Sequence, residues 1–416
     1  MHGPQQQPLP CPYQATLASN VLQFSAMASL GIYIQVPFCQ TRCTYCNFHT
    51  GVVSTGRYAP YVEAVCCEIR GYRELYRTAG IALPVGVGTA IVNTIYIGGG
   101  TPSLLDSGLL RNMLDAVRGG FQCELCEVTL EADPETVTPE KAGAWAAAGI
   151  TRISFGVQSF VGTELAAAGR IHRREDVYRA IPVLRDAGIG NISFDLIAGL
   201  PHQSRQSWSQ SLGELIALAP EHVSVYLLEI DEGSRLGKEV LSGGHRYSAT
   251  ALPSDDEMAE FYEAAGAGLA NAGYHHYEIS NWAKQGFESV HNLKYWRREP
   301  YLGFGAGAHS FSGPQRWANA HDAAIYVQSI SGTNRLPIEQ LESVTPAQAL
   351  DEELFLGLRQ LDGIDLRKIE GAYGVALHGK IVPLEAAGLI ERNGDHIRLA
   401  PGKLSVSNEA FVHLLS

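Results

Sequence analysis

The sequence predicts an α/β fold: a partial parallel, TIM-like (β/α)6 barrel followed by a smaller C-terminal α+β unit. Three observations carry that expectation. Short apolar, β-branched runs recur six times between residues 31 and 228, mostly with helical stretches between them. Several of these stretches stop at a glycine, as at Ala148-Gly149 and Ala187-Gly188. The alternation ends near residue 275, where an aromatic and glycine-rich segment takes over.

In chain order the strands are expected at Gly31–Pro37, Val92–Ile97, Glu127–Glu131, Arg152–Val157, Asn191–Ile197 and His222–Leu228. The helices are expected at Tyr58–Arg77, Ser103–Val117, Pro139–Ala148, Glu175–Ala187, Ser207–Leu218 and Ser254–Ala272. Such β–α repeats suit a parallel sheet with helices outside. Functional groups then belong at the C-terminal ends of the strands. Residues 1–29, rich in Gln and Pro near their start, read as a flexible leader, and either Met1 or Met27 serves as a start. Residues 30–275 read as the barrel and 276–340 as a linking segment. Residues 341–416 read as a winged-helix-like domain: a helix, a glycine turn and two alternating strands in "AAGLIERNGDHIRLAPGK".

The 416 residues are 45% hydrophobic and 18% charged, enough for one large core and a smaller one. A net charge of -12 repels phosphate backbones, so nucleic acid is not an expected partner, and the C-terminal unit is expected to pack on the barrel. No apolar run reaches transmembrane length, and no Lys or Arg precedes Arg42 to begin a secretory signal. Eight cysteines in so long a chain are too sparse for a disulfide scaffold. Thiols clustered in this way suit a reducing compartment, and a cytoplasmic location is expected.

The sharpest signal is a C-x3-C-x2-C triplet, Cys39, Cys43 and Cys46, in "IYIQVPFCQTRCTYCNF" just after the first strand. Three thiolates on one short loop can hold three irons of a 4Fe–4S cube and leave the fourth iron open to another molecule. At the end of the second strand stands Gly98-Gly99-Gly100-Thr101-Pro102, whose bare backbone lets a ligand approach closely. Later strand ends bring Glu131, Gln158, Arg170 and Asp195. Carboxylates can accept from ribose hydroxyls and an Arg can pair with a carboxylate. Cys66 and Cys67 sit on an expected helix and point in different directions, Cys123 and Cys126 form a C-x-x-C read as structural, and Cys11 lies in the leader.

With these motifs together the chain resembles the radical S-adenosylmethionine (SAM) superfamily, whose signature is this triplet. The resemblance implies the partial radical SAM barrel, a 4Fe–4S cluster on Cys39, Cys43 and Cys46, and SAM on its open iron. Tyr45 matches the aromatic that lies along the SAM adenine. The Gly99-Gly100-Thr101 stretch matches the motif that contacts the SAM amino group. Tyr33, Glu131, Gln158, Arg170 and Asp195 match SAM-contacting positions of the oxygen-independent coproporphyrinogen III oxidase family and its relatives. Within that group "IYIGGGTPSLL", "RISFGVQSF", "AGRIH", "DLIAGLP", "YEISNWAK" and "HNLKYW" resemble the heme chaperone HemW branch.

Two residue-level features separate the branches. The oxidase branch has a fourth cysteine two residues after the third, where this chain has Phe48. The chaperone branch has an H-N-x-x-Y-W motif, here His291-Asn292-Leu293-Lys294-Tyr295-Trp296. The resemblance implies heme as cargo, heme-accepting proteins as partners, and an electron donor if SAM is cleaved. His291 is a candidate heme ligand, with His309 a second, and an imidazole can ligate heme iron. Two other readings stay open. One is radical decarboxylation of coproporphyrinogen III propionates; the other is a zinc-holding regulatory protein whose C-terminal unit binds DNA.

Overall fold

The structure, a computed structural model, describes residues 29–415. Residues 1–28 of the expected leader, with Cys11 and the choice between Met1 and Met27, lie outside the described residues.

Six parallel strands form the centre: β1 (Ser29–Val36), β2 (Ile91–Gly99), β3 (Cys123–Ala132), β4 (Arg152–Gln158), β5 (Asn191–Ala198) and β6 (His222–Leu227). The helices that cover them are α1 (Tyr58–Thr78), α2 (Ser107–Gly120), α3 (Pro139–Ala148), α4 (Arg174–Asp186), α5 (Arg205–Leu218) and α6 (Asp255–Asn271). The expected α/β class and all six barrel strands are present. The second helix starts at Ser107, not Ser103, because the Asp106 carboxylate accepts from the Gly108 N–H and caps it there. Gly149, at φ 92°, ends α3 in the left-handed region as its sequence position suggests.

The strands are two-faced. Their outward rows, such as Ile32, Ile34 and Val36 in β1 or Ile153, Phe155 and Val157 in β4, are fully buried under the helices. Burying each such side chain contributes about 1.5–3 kcal/mol. Their inward rows are polar or small: Thr94, Tyr96 and Gly98; Glu127, Thr129 and Glu131; Arg152, Ser154 and Gly156; Ser193 and Asp195; His222, Ser224 and Tyr226. A lumen lined this way is a chamber with a polar floor.

Residues 276–340 do more than link. β7 (His275–Glu278) and β8 (Asn281–Ala283) extend the sheet beyond β6, while β9 (Tyr301–Phe304), β10 (His309–Phe311), β11 (Gln315–Asn319) and β12 (Ile338–Ser343) extend it beyond β1. The sheet has twelve strands in the order β12-β11-β10-β9-β1-β2-β3-β4-β5-β6-β8-β7, with β9 parallel to β1. Between β8 and β9 the chain crosses from one edge to the other, and on the way forms helix α7 (Val290–Trp296) inside the lumen. Sequence reading missed this because short strands in an aromatic segment carry no clear periodicity.

The C-terminal part runs α8 (Pro346–Arg359), β13 (Ile364–Asp365), α9 (Leu366–Tyr373), α10 (His378–Ala386), β14 (Ile390–Asn393), β15 (His396–Leu399) and α11 (Ser407–Leu415). Its sheet order is β13-β15-β14. It docks on the barrel through α8: Glu352 pairs with Arg298 and Arg316 at 2.7 Å, and Arg359 lies 4.5 Å over the Trp296 ring. Among the described residues no helix is long and apolar enough to cross a membrane.

Candidate functional site: a three-thiol chamber

The cysteine loop leaves β1 and is tied down at several points. Cys39 N–H donates to Gly51 O at 3.0 Å, and Gly51 N–H returns to Pro37 O at 2.8 Å. Thr44 N–H and Oγ1 donate to Ala168 O and Ala167 O, both at 2.9 Å, and Leu236 N–H donates to Thr44 O at 2.8 Å. The loop is thereby fixed to the segments after β4 and β6. Cys39, Cys43 and Cys46 all line one cavity of about 450 Å³, which is of ligand-binding size.

The glycine motif forms the adjacent wall. Gly100 N–H donates to Val36 O at 2.9 Å and Thr101 N–H to Phe38 O at 2.7 Å, so the motif pairs with the start of the cysteine loop. A Cβ at Gly98 would lie 2.8 Å from the Glu131 carboxyl, and one at Gly100 2.5 Å from Phe38 O. Gly99 has φ 106°, and its N–H donates to Glu131 Oε2 at 2.8 Å. Tyr96 OH holds the other Glu131 oxygen at 2.9 Å. Burial outweighs these two donors and, with Asp195 nearby, lifts Glu131 to about 7. Burial also raises Asp195, which accepts from Ser154 Oγ at 3.2 Å.

Arg170 is the most heavily held side chain. It pairs with Asp133, donates to Gly156 O at 2.8 Å and His172 Nδ1 at 3.3 Å, and reaches Cys43 Sγ at 3.6 Å. Burial and the adjacent guanidinium push His172 down to about 4, so it stays neutral and accepts. Gln158 has φ 62°, and its buried Oε1 finds no partner. Strain and an unpaired acceptor at a cavity wall point to a ligand.

The structure brings together Cys39, Cys43, Cys46, Tyr45, Gly99, Gly100, Thr101, Glu131, Gln158, Arg170 and Asp195 around this one chamber. Three expected site residues, Tyr33, His291 and His309, do not line it. Tyr33 stacks on Tyr96 at 6.0 Å and donates to Gln35 Oε1 at 2.6 Å. His291 lies on α7, 1% exposed, with Nδ1 2.9 Å from Thr94 Oγ1 and Nε2 2.9 Å from Tyr295 OH. Burial with Lys294 and Arg152 nearby holds it down at about 3. With both ring nitrogens bonded inside the core, His291 as placed has no atom to offer heme iron. The H-N-x-x-Y-W motif instead plugs the lumen, and its Asn292 lines the chamber.

Sequence reading missed Tyr96, Asp133, Arg152, Ser224, Tyr226 and Asn292, which also line the chamber. Arg152 is 1% exposed, and its Nε and Nη1 have no partner. The period-2 polar pattern Arg152-x-Ser154-x-Gly156 inside an apolar strand was a usable signal for it.

The residues present fit a cube-shaped cluster with a small-molecule ligand. Three thiols line one cavity, the glycines let its wall close up against Glu131, Gln35 and Phe38 where a Cβ would collide, and Gln158 and Arg152 present polar atoms without a hydrogen-bond partner. Burial raises Cys39 and Cys46 and so favours their neutral thiols, which bound iron would have to deprotonate.

Comparison with known proteins agrees. The Radical SAM superfamily description matches residues 33–215, and the HemN C-terminal domain matches residues 344–401. The chain is 34% identical over 386 residues to the heme chaperone HemW of Bacillus subtilis, covering 91% of this chain and 97% of that protein. It is 34% identical over 392 residues to the heme chaperone HemW of Mycobacterium tuberculosis, covering 92% and 94%. It is 33% identical over 352 residues to the mitochondrial radical S-adenosyl methionine domain-containing protein 1 of Bos taurus, covering 80% and 74%. Among solved structures, coproporphyrinogen III oxidase from Escherichia coli superposes with a TM-score of 0.78 at 20% identity, covering 94% of this chain and 90% of that one, a likeness of fold. By sequence identity and coverage, this chain belongs to the heme chaperone HemW family of the radical SAM superfamily.

Proposed function

We propose that this protein is a heme chaperone. It binds heme and a SAM-ligated 4Fe–4S cluster, and it passes the heme to acceptor proteins. The observation that carries the reading is the 34% identity, across 91% of the chain, to a protein named heme chaperone. The three-thiol chamber supports the cofactor part of it.

Cys39, Cys43 and Cys46 hold the cluster. When bound, such a cluster supplies one vacant iron position and one reducing electron. The chain's own residues orient the rest. The Gly99-Gly100-Thr101 backbone takes the SAM amino group, Glu131 and Asp195 accept from ribose, and Tyr45 lies along the adenine. Arg170 and Gln158 complete the polar wall, and Tyr33 acts from behind it. With a value of about 7, Glu131 exchanges its proton near neutrality and can donate as well as accept. An electron donor is needed only if SAM is cleaved.

The clustered reduced thiols favour the cytoplasm, and the net charge of -12 argues against nucleic acid as a partner. Residues 30–275 are the cofactor-holding part and 341–416 a winged-helix-like domain that packs on it. Oxidative decarboxylation of coproporphyrinogen III stands as the alternative, and Phe48 in place of the oxidase's fourth cysteine weighs against it.

The test is anaerobic reconstitution followed by parallel heme titration and SAM-cleavage assays. Saturable growth of a Soret band supports the chaperone. Protoporphyrinogen formed from coproporphyrinogen III, without saturable heme binding, rejects it.

A further inference from the structure

With His291 sealed in the lumen, the heme iron needs another ligand. The described surface holds a group of imidazoles beside the cysteine loop. His49 follows Cys46 by three residues and is exposed. Its ring stacks on that of His321, with centroids 4.5 Å apart and planes at 29°. His309 is exposed at the start of β10, and burial of part of its ring, with Arg316 and then His49 nearby, lowers its pKa.

His321 is built differently from the other two. It sits in the turn after β11, and its side chain is 51% exposed. Glu339 of β12 grips it twice, accepting from the backbone N–H at 3.1 Å and meeting ring Nδ1 at 2.8 Å. A carboxylate oxygen accepts, so Nδ1 carries the proton and Nε2 keeps its lone pair. A carboxylate behind an imidazole fixes the ring and raises its basicity, the usual arrangement behind a metal-bound histidine. Beside His49 the loop exposes Phe48 at 65% and Val52 at 60%, apolar surface of the kind a porphyrin face covers.

We propose that His321, held by Glu339, is the axial ligand of the carried heme. His49 covers it, and Phe48 and Val52 support the apolar macrocycle. This rests on the chaperone reading, since it names where that cargo binds. The bond formed is iron to the Nε2 lone pair of the Nδ1–H tautomer, with no change of oxidation state, and any proton on Nε2 leaves to solvent. Heme would then sit beside the mouth of the chamber that Cys39, Cys43 and Cys46 line, with Phe48 bordering both.

The experiment is heme titration of the full, cluster-loaded chain. His321→Ala should weaken heme binding at least tenfold and move the Soret band, while iron content and the response of the cluster spectrum to SAM stay as in the parent. Added imidazole should restore the Soret position. His49→Ala should keep the parent Soret position, and Glu339→Gln should keep ligation but weaken affinity about tenfold or more. Parent-like affinity and spectrum in His321→Ala would overturn the assignment and leave the chaperone reading standing. Absence of saturable heme binding in the parent protein would overturn that reading, and the assignment with it.

Discussion

The two ends of the barrel lumen are both lined by polar groups, yet they treat those groups in opposite ways. At the lower end, ionisable groups are paired within the protein. Glu127 accepts from Val290 N–H at 3.0 Å and His291 N–H at 2.9 Å, capping α7. His291 bonds through both ring nitrogens, and Lys294, 2% exposed, reaches Ser29 at 2.7 Å and Glu299 at 2.9 Å. In the chamber, Arg152 and Gln158 are left with atoms that have no hydrogen-bond partner, and burial disfavours the thiolates of Cys39 and Cys46. A buried polar group with partners builds structure; one without partners on a cavity wall is open to a ligand.

The largest expected effect lies at the chamber. Cys43→Ala should abolish the 4Fe–4S centre, read as iron and labile sulfide per chain after anaerobic reconstitution, with little change in the stability of the cluster-free protein. Full iron content in that variant would remove the chamber from the account. At the other end, His291→Ala strands two hydroxyls and opens a cavity. It should cost about 2–4 kcal/mol in denaturant unfolding, with heme affinity per folded molecule unchanged. A large loss of heme affinity without loss of stability would restore His291 as a ligand.

Arg152→Met should act with the opposite sign. Replacing a buried guanidinium whose Nε and Nη1 lack hydrogen-bond partners by an apolar chain should raise the stability of the ligand-free protein by about 1–3 kcal/mol, less what its attraction to Asp195 supplies, while weakening what the chamber binds. Destabilisation as large as that of His291→Ala would mean that Arg152 is structural. The pH dependence is the finest test. His172 and His276 are held down at about 4 and His291 at about 3, below the unfolded value near 6.5, chiefly by burial. Their contribution is present above pH 6.5 and is lost as pH falls toward 4, so stability should drop over that window.

Glu68 should oppose this trend. Burial raises it to about 7, against donors from Tyr326 at 2.5 Å, Gly305 at 2.9 Å and Asn319 at 2.8 Å. Its contribution is present below pH 4.5 and is lost as pH rises through 7. The stability of Glu68→Gln relative to the parent should therefore improve between pH 4.5 and 7 and level off above. A difference that stays flat across that range would place the Glu68 value elsewhere.

The sequence by itself determined the parallel β–α core, the cysteine loop after β1, the glycine motif after β2 and the polar strand ends. Each of these is written in local periodicity or in side-chain chemistry at short spacing. Only the tertiary structure decided that residues 276–340 complete both edges of one sheet, that His291 is a lumen plug and that Arg152 keeps two nitrogens without a hydrogen-bond partner in the chamber. It also decided that His49 meets His321, 272 positions further along the chain. Pairing and burial depend on which distant segments meet, and a one-dimensional pattern fixes which face a residue takes but not what it finds there.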